Sequence, residues 1–316
     1  MPPRSLLLTI DAFGTLFHPR HPVPEQYASA AYAFGIPRTA ITPANLQTAF
    51  KTEFKAQSQA HPNYGRDEVL RGQYGGPRQW WEELIRASFA RAMTPTPAST
   101  STSTSTPTPS HPLPDGLVQH LLDRFASKEG YALYDDVEGF FARMRAVKAG
   151  GAQLGPFSRV VVGVISNSDD RVPAVLESLG LRVGDVRADE GVLSRRLPGF
   201  EMRGEADSGR DRGDVNAVHD IDLVVTSYEA GEEKPSPHVF EVARRQAARV
   251  ARQDADDVDS WTCVHVGDDY EKDYRAATNA GWIGYYLPRD GEGRGQDGTR
   301  TIRSLMDLFS DIETYE

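Results

Sequence analysis

The sequence predicts an α/β protein, a doubly wound parallel sheet with an inserted helical domain. Two observations carry that prediction. Short apolar runs recur along the chain, each followed by polar residues and then a stretch of helical periodicity, the rhythm of strand–helix–strand crossovers. After the first run, the period stays helical throughout segment 18–134 before a second strand-like run appears.

The first run, Leu6-Leu7-Leu8-Thr9-Ile10, is apolar on both faces but for Thr9, as a strand covered on both sides requires, and it places Asp11 at its carboxyl end. Helical stripes follow: Tyr27, Ala31 and Phe34; Leu46, Phe50 and Phe54; Trp81, Leu84, Ile85 and Phe89; Leu117, Leu121, Leu122 and Phe125. Together they describe a small helical domain, a natural cap over a sheet. Trp80 and Trp81 are expected in its packing, and His61 and Tyr64 in its loop are candidates for substrate selection.

A helix bearing Val137, Phe140, Phe141, Met144 and Val147 returns the chain to the sheet. Strands are expected at Val160–Ile165, Leu223–Thr226, Cys263–Val266 and Ile283–Leu287. The predicted organisation is therefore a core of residues 1–17 and 135–316, and a cap of residues 18–134. The Ser/Thr/Pro-rich stretch 94–110 lacks the apolar groups that would offset ordering entropy, and the Gly/Asp/Arg-rich stretch near 188–220 is expected to be a flexible insertion.

Composition narrows the function. A formal net charge of -10 without a Lys/Arg cluster argues against a nucleic-acid partner and favours small molecules or proteins. The lone Cys263, in an apolar run, excludes an internal disulfide and suggests a reducing compartment. No apolar stretch approaches the ~20 residues of a membrane span, and no secretory signal precedes the first strand. The expectation is a cytoplasmic protein without a membrane partner, with nucleus or mitochondrion left open.

Parallel sheets bind ligands beyond the carboxyl ends of their strands. Those ends carry Asp11-Ala12-Phe13-Gly14-Thr15, Ser166-Asn167, Lys234-Pro235, and Gly267-Asp268-Asp269 with Asp273. A carboxylate can attack a phosphoryl or alkyl centre covalently, and a hydroxyl and a lysine suit an anionic transition state.

In this order the motifs resemble the haloacid dehalogenase superfamily. Within the helical segment, Ala56-Gln57-Ser58, Pro62-Asn63-Tyr64-Gly65 and Gln79-Trp80-Trp81 look like the haloacid dehalogenase-like hydrolase domain-containing protein 3 group. The resemblance implies Asp11 as nucleophile, with Ser166 and Lys234 at the transferring group and Thr15 and Asn167 assisting them at a phosphate. It further implies Mg²⁺ held by Asp11, the Phe13 carbonyl and Asp268, with Asp273 supporting Lys234 or a metal-bound water. A physical argument runs alongside. Three carboxylates brought together repel by about 4 kcal/mol per pair at ~4 Å and an effective dielectric of ~20, so cations must compensate. The plainer alternative has Asp268 and Asp269 merely capping the next helix.

The pattern departs from the family's phosphatases at Phe13, where they carry a second Asp that protonates the leaving group. General acid–base help is worth ~10² to 10⁴-fold. A phosphorylated small molecule is the expected substrate. True 2-haloacid dehalogenases share the aromatic at this place and are the rival. They work without metal, have a Ser/Asn-rich fourth motif, and use a Tyr where this chain has Phe240. A catalytically weak or inactive scaffold binding a ligand or a protein is the third reading. His265 is expected to be packed within its strand.

Overall fold

A computed structural model describes residues 4–94, 113–188, 197–200, 218–251, 261–291 and 297–315. Most of the two stretches expected to be unfolded, residues 94–110 and 188–220, lies outside the described residues. By contact density the chain divides into residues 1–18 with 131–316, and residues 19–130.

The first unit holds strands β1 (Arg4–Ile10) and β2 (Phe17–Pro19), of which the last residue already belongs to the second unit. Helices α1 (Val23–Ala33), α2 (Pro43–Ala60), α3 (Pro62–Leu70), α4 (Pro77–Met93) and α5 (Leu117–Arg124) then form the second unit. The chain returns through β3 (Tyr131–Leu133), α6 (Val137–Lys148), β4 (Phe157–Ser166), α7 (Val172–Ser178) and β5 (Val183–Arg187). It continues with β6 (Ile221–Thr226), α8 (Ser227–Ala230), α9 (His238–Val250) and β7 (Trp261–Gly267). A π-helical turn, Tyr270–Arg275, leads into α10 (Ala276–Asn279), β8 (Ile283–Tyr286) and α11 (Asp307–Glu313).

The sheet runs β5-β6-β4-β1-β7-β8, and all its pairings are parallel. Period-two alternation explains why Leu6, Leu7 and Leu8 are apolar at odd and even positions alike. Leu6, Leu8 and Ile10 join one core with Phe140, Phe141 and Phe309, whereas Leu7 joins the other with Phe240, Ala243 and Trp282. Thr9 and Asp11 continue the Leu7 side. The order puts β1 centrally, so Asp11 emerges between the ends of β4 and β7.

β5 is absent from the sequence reading. Its residues, Val183-Gly184-Asp185-Val186-Arg187, contain Gly and charge because an edge strand is covered less than a central one.

The helical unit has its own core of Tyr27, Leu46, Trp80, Leu84, Phe89, Leu117 and Leu121. α2 starts in a reciprocal capping box: Thr42 Oγ1 accepts from Asn45 N at 3.2 Å, while Thr42 N donates to Asn45 Oδ1 at 2.8 Å. The first residue of the third expected stripe is shifted: Trp80 is buried, in phase with Leu84 and Ser88, and Trp81 is only partly covered. Phe54 ends the α2 stripe exposed, stacked on Phe50 and edged by Trp80. No helix of the described residues is long and apolar enough to cross a membrane.

Candidate active site

The strand ends bring Asp11, Ser166, Lys234, Asp268 and Asp273 to one edge of the sheet. Asp11 follows β1 and fixes its backbone by donating its N–H to Val266 O at 2.8 Å, across to β7. Lys234 precedes α9, and its buried Nζ donates to Asp11 Oδ1 at 2.7 Å, Asp273 Oδ1 at 2.6 Å and Ile165 O at 2.9 Å. All three ammonium protons are thereby used.

Glycine makes room for two of the acids. Gly14 has φ +92°, and a Cβ there would lie 2.6 Å from Asp268 Oδ2; a Cβ on Gly267 would lie 2.1 Å from Asp273 Cγ. Both acids can approach only because those side chains are missing.

Asp268 and Asp269 divide the work that the capping alternative assigned to both. Asp269 caps the π-helical turn, accepting from Glu271 N at 3.0 Å and Lys272 N at 2.9 Å. Asp268 turns instead to the β1 loop, where its Oδ1 accepts from Thr15 Oγ1 at 2.8 Å and its N–H donates to the same hydroxyl at 3.0 Å. Asp273 is engaged through both oxygens: besides Lys234, it accepts from Asp269 N at 2.9 Å and pairs with His265 Nε2 at 3.2 Å.

Ligand atoms of Asp11, Asp268 and Asp273 lie within 4.8 Å of one another. Three carboxylates against one ammonium leave a formal excess of two negative charges, a donor set that suits a hard divalent cation. Asp273 is committed to its three donors, so Asp11 and Asp268 are the acids best placed to hold one.

Burial raises the Asp11 carboxyl to about 7; Lys234 works against the rise, and Asp273 and Asp268 add to it. Burial also raises Asp268. For Asp273, burial opposes ionisation, but Lys234 and His265 outweigh it and hold the group well below the usual carboxylate range. Lys234 is desolvated yet held above its ordinary value by Asp11 and Asp273. Burial pushes His265 down, so it is neutral at pH 7. Burial likewise lifts the Cys263 thiol to about 12, which leaves it an inert packing group.

The structure redirects two of the residues expected at a phosphate. The Thr15 hydroxyl both donates to and accepts from Asp268, so it anchors that acid. Asn167 clips the Lys234 backbone from both sides, its Oδ1 accepting from Lys234 N at 2.7 Å and its Nδ2 donating to Lys234 O at 2.9 Å. Ser166 is buried with its Oγ 3.1 Å from Ser168 Oγ, which leaves it bonding capacity. Phe13 is 48% exposed, with its ring edge-on to Phe17 and Tyr131. His61 and Tyr64 lie in the helical unit, His61 stacked on Tyr74 at 4.3 Å and bonded to Glu68 at 2.5 Å, Tyr64 in left-handed backbone at φ 60° against Trp80.

Arg289 and Asp136 brace the loop that follows Asp11 and carry no sequence motif. Arg289 donates through Nε and Nη2 to Thr15 O at 3.0 and 2.7 Å, and through Nη1 to Asp136 Oδ2 at 2.9 Å. Its guanidinium lies 4.3 Å from the Tyr134 ring centroid. Only folding brings these residues to Thr15.

Fold and site together define a doubly wound α/β protein with a strand-end carboxylate fixed on a buried lysine. The HAD-hydrolase-like family model matches residues 232–304, which span Lys234, Asp268 and Asp273. A haloacid dehalogenase-like hydrolase domain-containing protein 3 of Bos taurus is 28% identical over 282 residues, covering 87% of this chain and 78% of that protein. An uncharacterized hydrolase of Schizosaccharomyces pombe is 27% identical over 280 residues, 89% of each chain. Among solved structures, a magnesium-bound HAD-hydrolase of Bacillus subtilis aligns over 98% of this chain and 99% of that one, with a TM-score of 0.50 at 13% identity. By these matches the chain is similar to proteins of the haloacid dehalogenase superfamily.

Proposed function

We propose that the chain is a Mg²⁺-dependent phosphohydrolase that works through an aspartyl-phosphate on Asp11. The observation that carries this reading is the buried Lys234 ammonium held between Asp11 and Asp273, with Asp268 completing the acidic group. A metal-independent dehalogenase has no use for that surplus of carboxylates. The position of the dehalogenases' tyrosine is here Phe240, fully buried against His265 and Trp282.

In the proposed reaction an Asp11 carboxylate oxygen forms a bond to phosphorus while the ester P–O bond breaks and its electron pair leaves with the alcohol oxygen. Lys234 keeps Asp11 ionised and oriented, and Ser166 offers a hydroxyl to the phosphoryl oxygens. Mg²⁺, held by Asp11, Asp268 and the Phe13 carbonyl, would supply charge neutralisation at the phosphoryl group. Water then cleaves the aspartyl-phosphate. In this reading a phosphorylated small molecule is the substrate.

Phe13 supplies no proton to the departing oxygen, so the reading favours leaving groups that depart as stable anions. Aryl and acyl phosphates should be hydrolysed at least ~10²-fold faster than alkyl phosphates, with Mg²⁺ required and Asp11→Asn inactive. Equal rates on both ester classes would overturn the reading. So would halide release from 2-haloacids without metal, which would establish the dehalogenase reading instead.

A further inference from the structure

Beneath the acids, a second row of polar side chains runs through the sheet. Thr9 and His265 are register partners on the adjacent parallel strands β1 and β7. Both are 0% exposed, and both point to the face that Asp11 continues. Thr9 is the one polar residue in a strand segment otherwise made of Leu and Ile. Its Oγ1 lies 2.9 Å from His265 Nδ1 and 3.1 Å from Val264 O. On the other side of the ring, His265 Nε2 lies 3.2 Å from Asp273 Oδ1, the oxygen that also accepts from Lys234 Nζ. The Phe240 ring stands edge-on at 5.3 Å and seals this row from the apolar side.

The proton count is constrained. A neutral imidazole carries one N–H, and Asp273 Oδ1 can only accept. The arrangement that satisfies both ring contacts has the proton on Nε2, donated to Asp273, and the single Thr9 hydroxyl proton directed to Nδ1 at 2.9 Å rather than to Val264 O at 3.1 Å. The opposite tautomer would set a ring lone pair against a carboxylate lone pair, inside a core without water to intervene.

We propose that Thr9 and His265 are positioning residues for the catalytic pair. Thr9 selects the Nε2–H tautomer of His265, and that proton fixes the Asp273 oxygen against which Lys234 is braced toward Asp11. The inference rests on the phosphohydrolase reading for its kinetic consequence, but the tautomer is independent of that reading. Losses of this indirect kind run to about 10–100-fold.

The test uses the full chain in four forms: parent, Thr9→Val, which keeps the shape and removes the hydroxyl, Thr9→Ser, which restores it, and His265→Gln as the spectral control. ¹⁵N NMR of the imidazoles at pH 7.5 reads the tautomer, with His265→Gln identifying the resonance. Steady-state hydrolysis of p-nitrophenyl phosphate with Mg²⁺ reads kcat and KM. The expected result is an Nε2–H ring in the parent and mixed tautomers in Thr9→Val, with kcat lowered about 10-fold at unchanged KM. Thr9→Ser should recover both. A parent ring protonated on Nδ1, or a Thr9→Val protein with the parent's tautomer and kcat, overturns the proposal. A parent inactive on every phosphate ester overturns the phosphohydrolase reading alone, and the NMR result still decides the tautomer.

Discussion

Replacing Lys234 by Met isolates the electrostatic role of the buried ammonium. Methionine fills nearly the same volume, so the cavity left behind is small and the loss is mainly one of charge and hydrogen bonds. Asp11 Oδ1, Asp273 Oδ1 and Ile165 O each lose their lysine donor. Asp11 and Asp273 then face one another and Asp268 with no resident cation. Removing one partner of a buried ion pair costs about 3–5 kcal/mol. With a urea m-value of about 2–3 kcal/mol/M, the unfolding midpoint should fall by roughly 1–2 M. The assay is urea unfolding followed by circular dichroism, in EDTA and in excess Mg²⁺. The loss should grow from pH 6 to pH 8. Without the ammonium the acids' folded pKa values rise, so the folded state holds extra protons at the lower pH and gives them up at the higher one. Mg²⁺ should stabilise Lys234→Met more than the parent, because it replaces the missing positive charge. A midpoint within about 0.3 M of the parent in EDTA at pH 8 would refute the claim that this lysine neutralises the site.

Gly267→Ala would drive a methyl group to 2.1 Å from Asp273 Cγ and so push that acid off Lys234. We expect about 1–3 kcal/mol of lost stability together with weakened Mg²⁺ binding by calorimetric titration; parent-like affinity would be inconsistent with the tight approach of Asp273. Asp136→Asn tests the loop brace through pH. Burial works against ionisation of Asp136, but hydrogen bonds from Arg289, Leu305 and Ser304 outweigh it and hold the carboxyl below its ordinary value. A depressed folded pKa means stability that is present above the unfolded value and lost as pH falls through the folded one. The variant's thermal midpoint should therefore lie below the parent's at pH 7, with the gap closing as pH drops below about 4. A gap unchanged down to pH 3 would show that the charge contributes nothing.

Much of the frame was legible without coordinates. Leu6–Ile10 had to be a strand covered on both faces, because only such a strand needs apolar residues at odd and even positions alike, and that fixed Asp11 at a strand end. The acids were legible as residues at strand ends, where parallel sheets bind ligands, whereas Lys234, beyond α8, was picked out by the order of motifs. β5 escaped because an edge strand relaxes the demand for apolar residues, and the Trp81 stripe slipped by one residue because adjacent tryptophans give the period no way to choose between them.

The sequence by itself determined the fold class, a first strand covered on both faces and which residue types stand at the strand ends. It could not determine how each side chain spends its hydrogen bonds. Thr15 and Asn167 both read as phosphate ligands, yet packing commits one to Asp268 and the other to the Lys234 backbone. Arg289 reaches Thr15 from the far end of the chain, and Thr9 reads as an exception in an apolar run until β7 sets His265 beside it. Hydrophobic periodicity is local and survives in one dimension. Hydrogen-bond partnership depends on which strands become neighbours, and that is decided only when the sheet closes around β1.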